Sequence, residues 1–405
     1  MPDPAVTIRH VAAAAGVHPA TASRALNPET RILVSDQTAR RVLSVAKSLG
    51  YHPNPMARTL RTRRSHTVGV LIPDLTNPLF PPIIRGLEDR LAAAGYVALI
   101  GNTDGDDGRE RLVFEQMRAR RVDGFVMATA RLRDPLLAEA ARAEIPVVLV
   151  NRVTEEYSFP AVSVDNERGS YLVVSHLAAL GHRRIAHIAG PQDVSTGPSR
   201  LRGFAAGMAA CGLEAGQELI TYAGAYSIQE GVRCCRELLR RRGSWSAVVA
   251  ANDMLAVGAY SALEEAGLRC PDDVSVTGFN DMPFIDRLHP PLTSVRFPHY
   301  RVGTEAAQLL LERLAGPGAA AGPGTGAGQG GGAGPEATAG LEAGAGPEAG
   351  AGPEAGAGPE ADEGAGIAAD RSASRDVAPV KILFLAPELV VRGSTAPAAP
   401  GAGGA

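Results

Sequence analysis

The chain has 405 residues, of which 45% are hydrophobic and 20% charged, and its formal net charge is −3. That is enough apolar material for more than one packed domain, while four cysteines without a CxxC pair exclude a disulfide scaffold and a zinc ribbon. No long apolar run and no N-terminal signal segment are present, so a cytoplasmic protein without membrane contact is expected.

The first elements are three short helices. Ile8, Val11, Ala12 and Ala15 recur at i, i+3, i+4 and i+7, the spacing of one buried helical face. Gly16 can take the positive φ that ends this helix, and Pro19 suits the first turn of the next. In that second helix Ser23, Arg24 and Asn27 share an exposed face, while Ala22, Ala25 and Leu26 can pack inward. Two short helices joined by a tight turn form a helix-turn-helix, the arrangement that lays a helix in the DNA major groove. Ser35 can cap a third helix whose apolar stripe is Ala39, Val42, Leu43, Ala46 and Leu49, with Gly50 as its stop. Tyr51-His52-Pro53-Asn54-Pro55 then breaks regular structure, and Met56 to Arg61 can form one more short helix. Through Arg64 there are ten basic residues against three acidic, a local +7. The rest holds 30 basic against 40 acidic, or −10. A basic head on an acidic body is the footprint of phosphate contacts.

Beyond Arg64 near-continuous apolar runs (VGVLI, YVALIG, GFVMA, PVVLVN, AVSVD, RIAHIAG, AVVAAN, DVSVTGF) alternate with helical stretches. This pattern argues for parallel sheets covered on both faces, and its extent for two lobes with a cleft. In open α/β sheets ligands bind outside the carboxyl ends of the strands. Polar residues stand at those ends: Asp74 and Asn77, Asn102, Asn151 and Arg152, Asp165, Asn252 and Asp253, Asn280 and Asp281, with Phe80 and Arg200 in or just after similar loops. Such a set suits a neutral, hydroxyl-rich ligand such as a sugar; each Asp or Asn also suits the cap of a following helix.

From Gly316 to about Asp376 the composition collapses to Gly, Ala, Pro and Glu, with Pro335, Pro347, Pro353 and Pro359 in a six-residue register. Such a segment has almost nothing to bury and is expected to be a disordered, acidic insertion, either a tolerated expansion or an interaction arm. There is no HExxH and no Walker-type loop, the glycine-rich GNTDGDDG does not fit GxGxxG, and His176, His182 and His187 lack metal-ligand spacing. No catalytic residue, metal site or cofactor is therefore expected.

The segments TIRHVAAAAGVHPATASRALN and LGYHPNPMARTLR, followed by VGVLIPDLTNPLF, RRVDGFVMAT, LGHRRIAHIAG, ANDMLAVGA, DVSVTGFND, PPLTSVRFP and PELVVRGS, resemble the lactose-repressor (LacI-type) family of bacterial transcription regulators over nearly the whole chain. The resemblance implies a helix-turn-helix headpiece at 1–52 and a hinge helix and linker at 53–65. A two-lobed, periplasmic-binding-protein-like α/β core at 66–315 and 377–395 would be interrupted by the insertion at 316–376. One lobe would comprise roughly 66–163 and 293–315, the other roughly 164–291 and 377–395. It implies DNA contacts from Pro19, Ala20, Thr21, Ser23, Arg24 and Asn27, with Arg24 reading a base edge. It also implies a minor-groove wedge from Leu60, which without that pattern would be an ordinary helix core residue. Phe80, Arg200, Asn252 and Asn280 match effector-contacting positions, beside Asp74, Asn77 and Arg152.

His10 and His18 depart from the pattern: each stands where a better helix cap is usual, so both caps are expected to be weakened. Asn280 occupies a position where many relatives carry aspartate, keeping an acceptor but losing a charge. The implied protein is a homodimeric repressor of a pseudo-palindromic operator in double-stranded DNA, responsive to a sugar. The alternatives are a nucleoside or other metabolite as effector and, more remotely, a solute-binding receptor or an enzyme.

Overall fold

The computed structural model describes residues 6–27, 30–51, 64–156, 158–241, 245–316 and 380–398. Leu60, nearly all of the hinge segment and the 317–376 part of the insertion lie outside the described residues.

At the N-terminus α1 (Ile8–Ala14), α2 (Pro19–Leu26) and α3 (Asp36–Ser48) close around Val11, Ala12, Ala15, Ala22, Ala25, Ala39, Val42 and Ala46. These are small side chains, so the helices approach closely and the core is alanine-rich. Leu49 is not part of the α3 stripe: it caps the helix and is exposed, and Val45 packs on the core in its place. Neither histidine weakens its helix end. His10 Nδ1 accepts the Thr7 N–H at 3.3 Å and His18 Nδ1 accepts the Ala20 N–H at 3.2 Å. A neutral imidazole has one acceptor nitrogen, and here it replaces the carboxylate or hydroxyl acceptor.

The remainder is built on two six-stranded sheets. The first contains β1 (Thr67–Ile72), β2 (Val97–Asn102), β3 (Gly124–Met127), β4 (Val147–Val150) and β5 (Ala161–Val164), joined by α4 (Phe80–Ala93), α5 (Asp107–Ala119) and α6 (Pro135–Arg142). The second contains β6 (Ile185–Ala189), β7 (Ile220–Tyr222), β8 (Ala247–Ala250), β9 (Ser275–Asn280) and β10 (Thr293–Arg296). Its helices are α7 (Asn166–Ala179), α8 (Thr196–Ala210), α9 (Ile228–Arg240) and α10 (Asp253–Glu265). The chain then returns through α11 (His299–Ala315), which packs on α4 and the first sheet. After the insertion, β11 (Ile382–Leu385) joins the first sheet and β12 (Glu388–Val390) the second. The orders are β11-β5-β4-β3-β1-β2 and β12-β10-β9-β8-β6-β7, parallel except for β10 with β12. The chain thus passes between the sheets three times.

This pairing corrects the expected division of the lobes. Thr293–Arg296 pairs with Thr277–Asn280 in the second sheet, and Ile382–Leu385 pairs with Ala161–Val164 in the first. Alternating apolar strands look alike locally, and only the partner strand distinguishes the sheets. The crossing of α4 and α11 depends on glycine: a Cβ on Gly86 would sit 2.0 Å from the Tyr300 carbonyl oxygen, and one on Gly303 1.9 Å from that of Ile83. The returning tail is knitted into the second sheet, with Ser394 Oγ bridging Thr293 N–H and the Val276 carbonyl at 2.8 and 2.6 Å. His182 hydrogen-bonds Ser246 Oγ and the Ala396 carbonyl, so its role is structural.

Candidate functional site

Two surfaces collect the functional candidates. On the headpiece, Ala20 and Arg24 are exposed and Pro19, Thr21, Ser23 and Asn27 partly so. Pro19 opens α2, where its missing N–H costs nothing. Asn27 is the C-cap in extended backbone, its N–H donating to the Arg24 carbonyl. The chain beyond α2 is fastened by Thr30 Oγ1 donating to the Arg24 carbonyl at 3.2 Å and by Arg31 Nε donating to the Ala25 carbonyl at 3.2 Å. Sequence patterning did not single out Arg31, because its role is to satisfy the helix end rather than to face outward.

In the core a cavity of about 530 Å³ opens at the carboxyl ends of the parallel strands. Asp74, Asn77, Phe80, Arg152, Arg200, Asn252 and Asn280 all line it. The first sheet contributes Asp74, Asn77 and Phe80 after β1 and Asn151 and Arg152 after β4; the second contributes Arg200 from α8, Asn252 after β8 and Asn280 at the end of β9. Phe80 is buried at the start of α4. Asn151 and Asn280 hold φ of +65° and +110°, conformations asparagine tolerates better than most residues.

Several candidates also perform the local capping task open to them. Asn252 Oδ1 accepts the Leu255 N–H at 2.9 Å, Asn77 Oδ1 that of Leu79 at 3.0 Å, and Asp74 Oδ1 the Thr76 N–H and hydroxyl at 2.8 and 2.7 Å. Asp165 caps α7 and lies away from the cavity, as does Asp281, which pairs with Arg296 and Arg392. Asn102 accepts the Leu75 N–H at 2.9 Å and supports the loop from behind.

Arg200 organises the buried end. Its Nε donates to Asn166 Oδ1 at 2.8 Å, Nη1 to the Ala251 carbonyl at 2.5 Å and Nη2 to Asn280 Oδ1 at 3.2 Å. The guanidinium lies 3.8 Å from the centroid of the Phe279 ring, a cation–π contact. Arg152 donates to the Thr129 carbonyl at 3.3 Å. Burial pulls both arginines below their usual range.

Residues that sequence reasoning missed complete the cavity: Arg131, Asp193, Thr196 and Tyr226. Arg131 follows β3 and pairs with Asp193, which follows β6, so one ion pair joins the loops of the two sheets. Leu132 N–H to the Asp193 carbonyl at 2.9 Å and Val153 N–H to Ser195 Oγ at 3.0 Å join them further. The strand-end rule that found Asp74 would also have found Arg131; Tyr226 follows a three-residue strand that patterning could not locate.

Comparison with known proteins finds two domain families in the chain. A model of bacterial regulatory proteins of the lacI family matches residues 7–54, and a periplasmic binding protein-like domain matches 174–325. The chain is 34% identical to the HTH-type transcriptional repressor CytR of Escherichia coli (strain K12) over 313 residues, 77% of this chain and 91% of that protein. Among solved structures it is similar to a transcriptional regulator CelR–cellobiose complex, at 27% identity and a TM-score of 0.63, covering 96% of this chain and 99% of that one. A lac repressor dimer bound to operator and the anti-inducer ONPF shares the fold at 23% identity and a TM-score of 0.73, covering 97% of this chain and 100% of that one.

Proposed function

This chain belongs to the LacI family of bacterial regulatory proteins, and from that footing we propose that it is a sequence-specific repressor whose operator affinity is controlled by a small molecule, a sugar or sugar derivative, held between its two lobes. The observation that carries the reading is the convergence of Asp74, Asn77, Phe80, Arg152, Arg200, Asn252 and Asn280, drawn from five separated stretches of strand end and helix start, on one cavity. Similarity to a regulator solved with cellobiose supports a carbohydrate.

The headpiece at 1–52 presents Pro19, Ala20, Thr21, Ser23, Arg24 and Asn27 to DNA. Arg24 is the base reader, because its fork can bond guanine O6 and N7 together. Leu60 is the minor-groove wedge of the hinge at 53–65. Two copies grip a pseudo-palindromic site, since a two-fold protein matches a two-fold operator. The core at 66–315 and 377–395 binds the effector and dimerises, and the insertion at 316–376 is passive. A ligand that favours one lobe arrangement shifts the population toward or away from the DNA-competent state by its differential affinity. No enzymatic chemistry is assigned, and its relatives are transcriptional regulators. Among the described residues no helix is long and apolar enough to cross a membrane; a regulator of this kind works in the cytoplasm, on the nucleoid.

The test is selection of bound sequences from random duplex DNA, followed by titration of the enriched site with sugars and nucleosides. A short palindrome whose affinity shifts with one compound is expected. Absence of any enriched site would overturn the reading.

A further inference from the structure

Charge is unevenly distributed in the cavity. Six charged side chains line it: Asp74, Asp104, Asp193, Arg131, Arg152 and Arg200. The carboxylates are already engaged. Asp104 pairs with Arg109, Asp193 with Arg131, and Asp74 holds Thr76. Arg131 has a second carboxylate partner, Asp107, at 2.6 Å.

Arg152 and Arg200 are different. Arg200 is only 2% exposed, yet its partners, the Asn166 and Asn280 amide oxygens and the Ala251 carbonyl, are all neutral. Among the described residues Arg152 makes a single hydrogen bond, from Nη1 to the Thr129 carbonyl, and its buried Nε has no partner. Neither forms an ion pair among the described residues. The buried carboxyl of Asp253 attracts Arg200 but forms no ion pair with it: its oxygens take the Ser294 hydroxyl at 2.5 Å and the Met282 N–H at 2.8 Å. Burial also pushes it up to about 7, so that much of it is uncharged.

An arginine remains cationic even when buried, and a buried charge without a counter-charge is costly. A neutral hydroxyl ligand would add hydrogen bonds but bring neither arginine an ion-pair partner. We propose that the effector is an anion, a sugar or similar polyol carrying a carboxylate or phosphate, with its anionic oxygens on Arg152 and within reach of Arg200. The inference rests on the effector-cleft reading above and narrows its ligand class. Planar guanidinium donors suit carboxylate and phosphate oxygens alike, and the volume admits an acid-bearing monosaccharide or disaccharide.

The experiment uses the full chain. Thermal unfolding is followed in inorganic phosphate and in chloride at equal ionic strength, for the parent, Arg152→Gln and Arg152→Lys. Phosphate is expected to raise the Tm of the parent and, less strongly, of Arg152→Lys, but not of Arg152→Gln. In chloride alone Arg152→Gln should unfold no earlier than the parent, because it removes a charge that has no ion-pair partner and only one hydrogen bond. Equal phosphate effects in all three, or none in the parent, overturn the proposal. Matched pairs then give the class: glucose with glucuronate and glucose 6-phosphate, galactose with galacturonate, uridine with uridine monophosphate. An acid-bearing member should bind about tenfold or more tightly than its neutral counterpart, a preference lost in Arg152→Gln. A neutral sugar or nucleoside that binds as tightly as its acid form overturns the anionic class and leaves the effector cleft standing. Arg152-dependent phosphate binding, with no compound altering operator affinity, keeps the anion seat and sinks the effector reading.

Discussion

Replacing Asp281 by asparagine isolates one charge at the point where the returning chain is fastened to the second sheet. Asp281 has φ +51°, a left-handed conformation that asparagine shares at little cost, so the backbone is not perturbed. Its carboxylate meets Arg296 Nε at 2.5 Å and Arg392 Nη2 at 2.6 Å. The Arg296 side chain is 49% exposed, and solvent reduces that pair to less than about 1 kcal/mol. Arg392 is 15% exposed and Asp281 6%, so this pair is screened little. The contact to Oδ1 is close without hydrogen-bond alignment, and Arg392 keeps its 2.7 Å bond to the Leu292 carbonyl. Those facts place the second contribution near the lower end for a charged partner, about 1.5 kcal/mol. The sum is about 2 kcal/mol, which is roughly a 30-fold change in a local opening equilibrium. Amide exchange at Val276 and Thr293, whose N–H groups are held by Ser394, should therefore quicken by about that factor, while exchange in β3 and β4 of the first sheet stays at parent rates. Unchanged exchange at both amides would refute the reasoning, and equal acceleration in both sheets would mean that the ion pairs stabilise the whole chain rather than the anchor.

Arg24→Ala should weaken specific operator binding by about 1–3 kcal/mol and leave most binding to random DNA intact, as competition titration at fixed salt will show. Asp253 titrates near 7 in the folded protein, raised by burial from an ordinary value of 3.8. An acid raised in this way stabilises the fold when protonated, so its contribution is full below about pH 4 and lost as pH rises to about 7. Asp253→Asn should flatten urea-unfolding stability across that window, and an unaltered pH slope would contradict it. Gly303→Ala places a methyl against the Ile83 carbonyl and should cost about 1–3 kcal/mol by overpacking, measurable as a lower urea midpoint. Replacing 317–376 by a short Gly/Ser linker should preserve operator binding and effector response; loss of either would show that the insertion is not passive.

The headpiece was legible because its determinants are local. Val11, Ala12 and Ala15 bury one face at helical spacing, and Pro19 begins a helix by its own geometry. Strand and helix alternation, and the habit of binding at carboxyl ends of parallel strands, likewise point to Asp74, Asn77, Arg152, Asn252 and Asn280, which do line one cavity. Residue type alone undervalues the histidine caps, because it leaves out the ring's own acceptor nitrogen, which short-range geometry brings onto Thr7 and Ala20. Tertiary structure alone decided which sheet receives Thr293–Arg296 and which receives Ile382–Leu385, since strand pairing joins residues far apart along the chain and leaves no periodic trace. It alone decided, too, that Arg131 pairs with two carboxylates while Arg152 and Arg200 pair with none among the described residues. Sequence lists the charges, but compensation falls with distance through space, and that distance exists only in the fold.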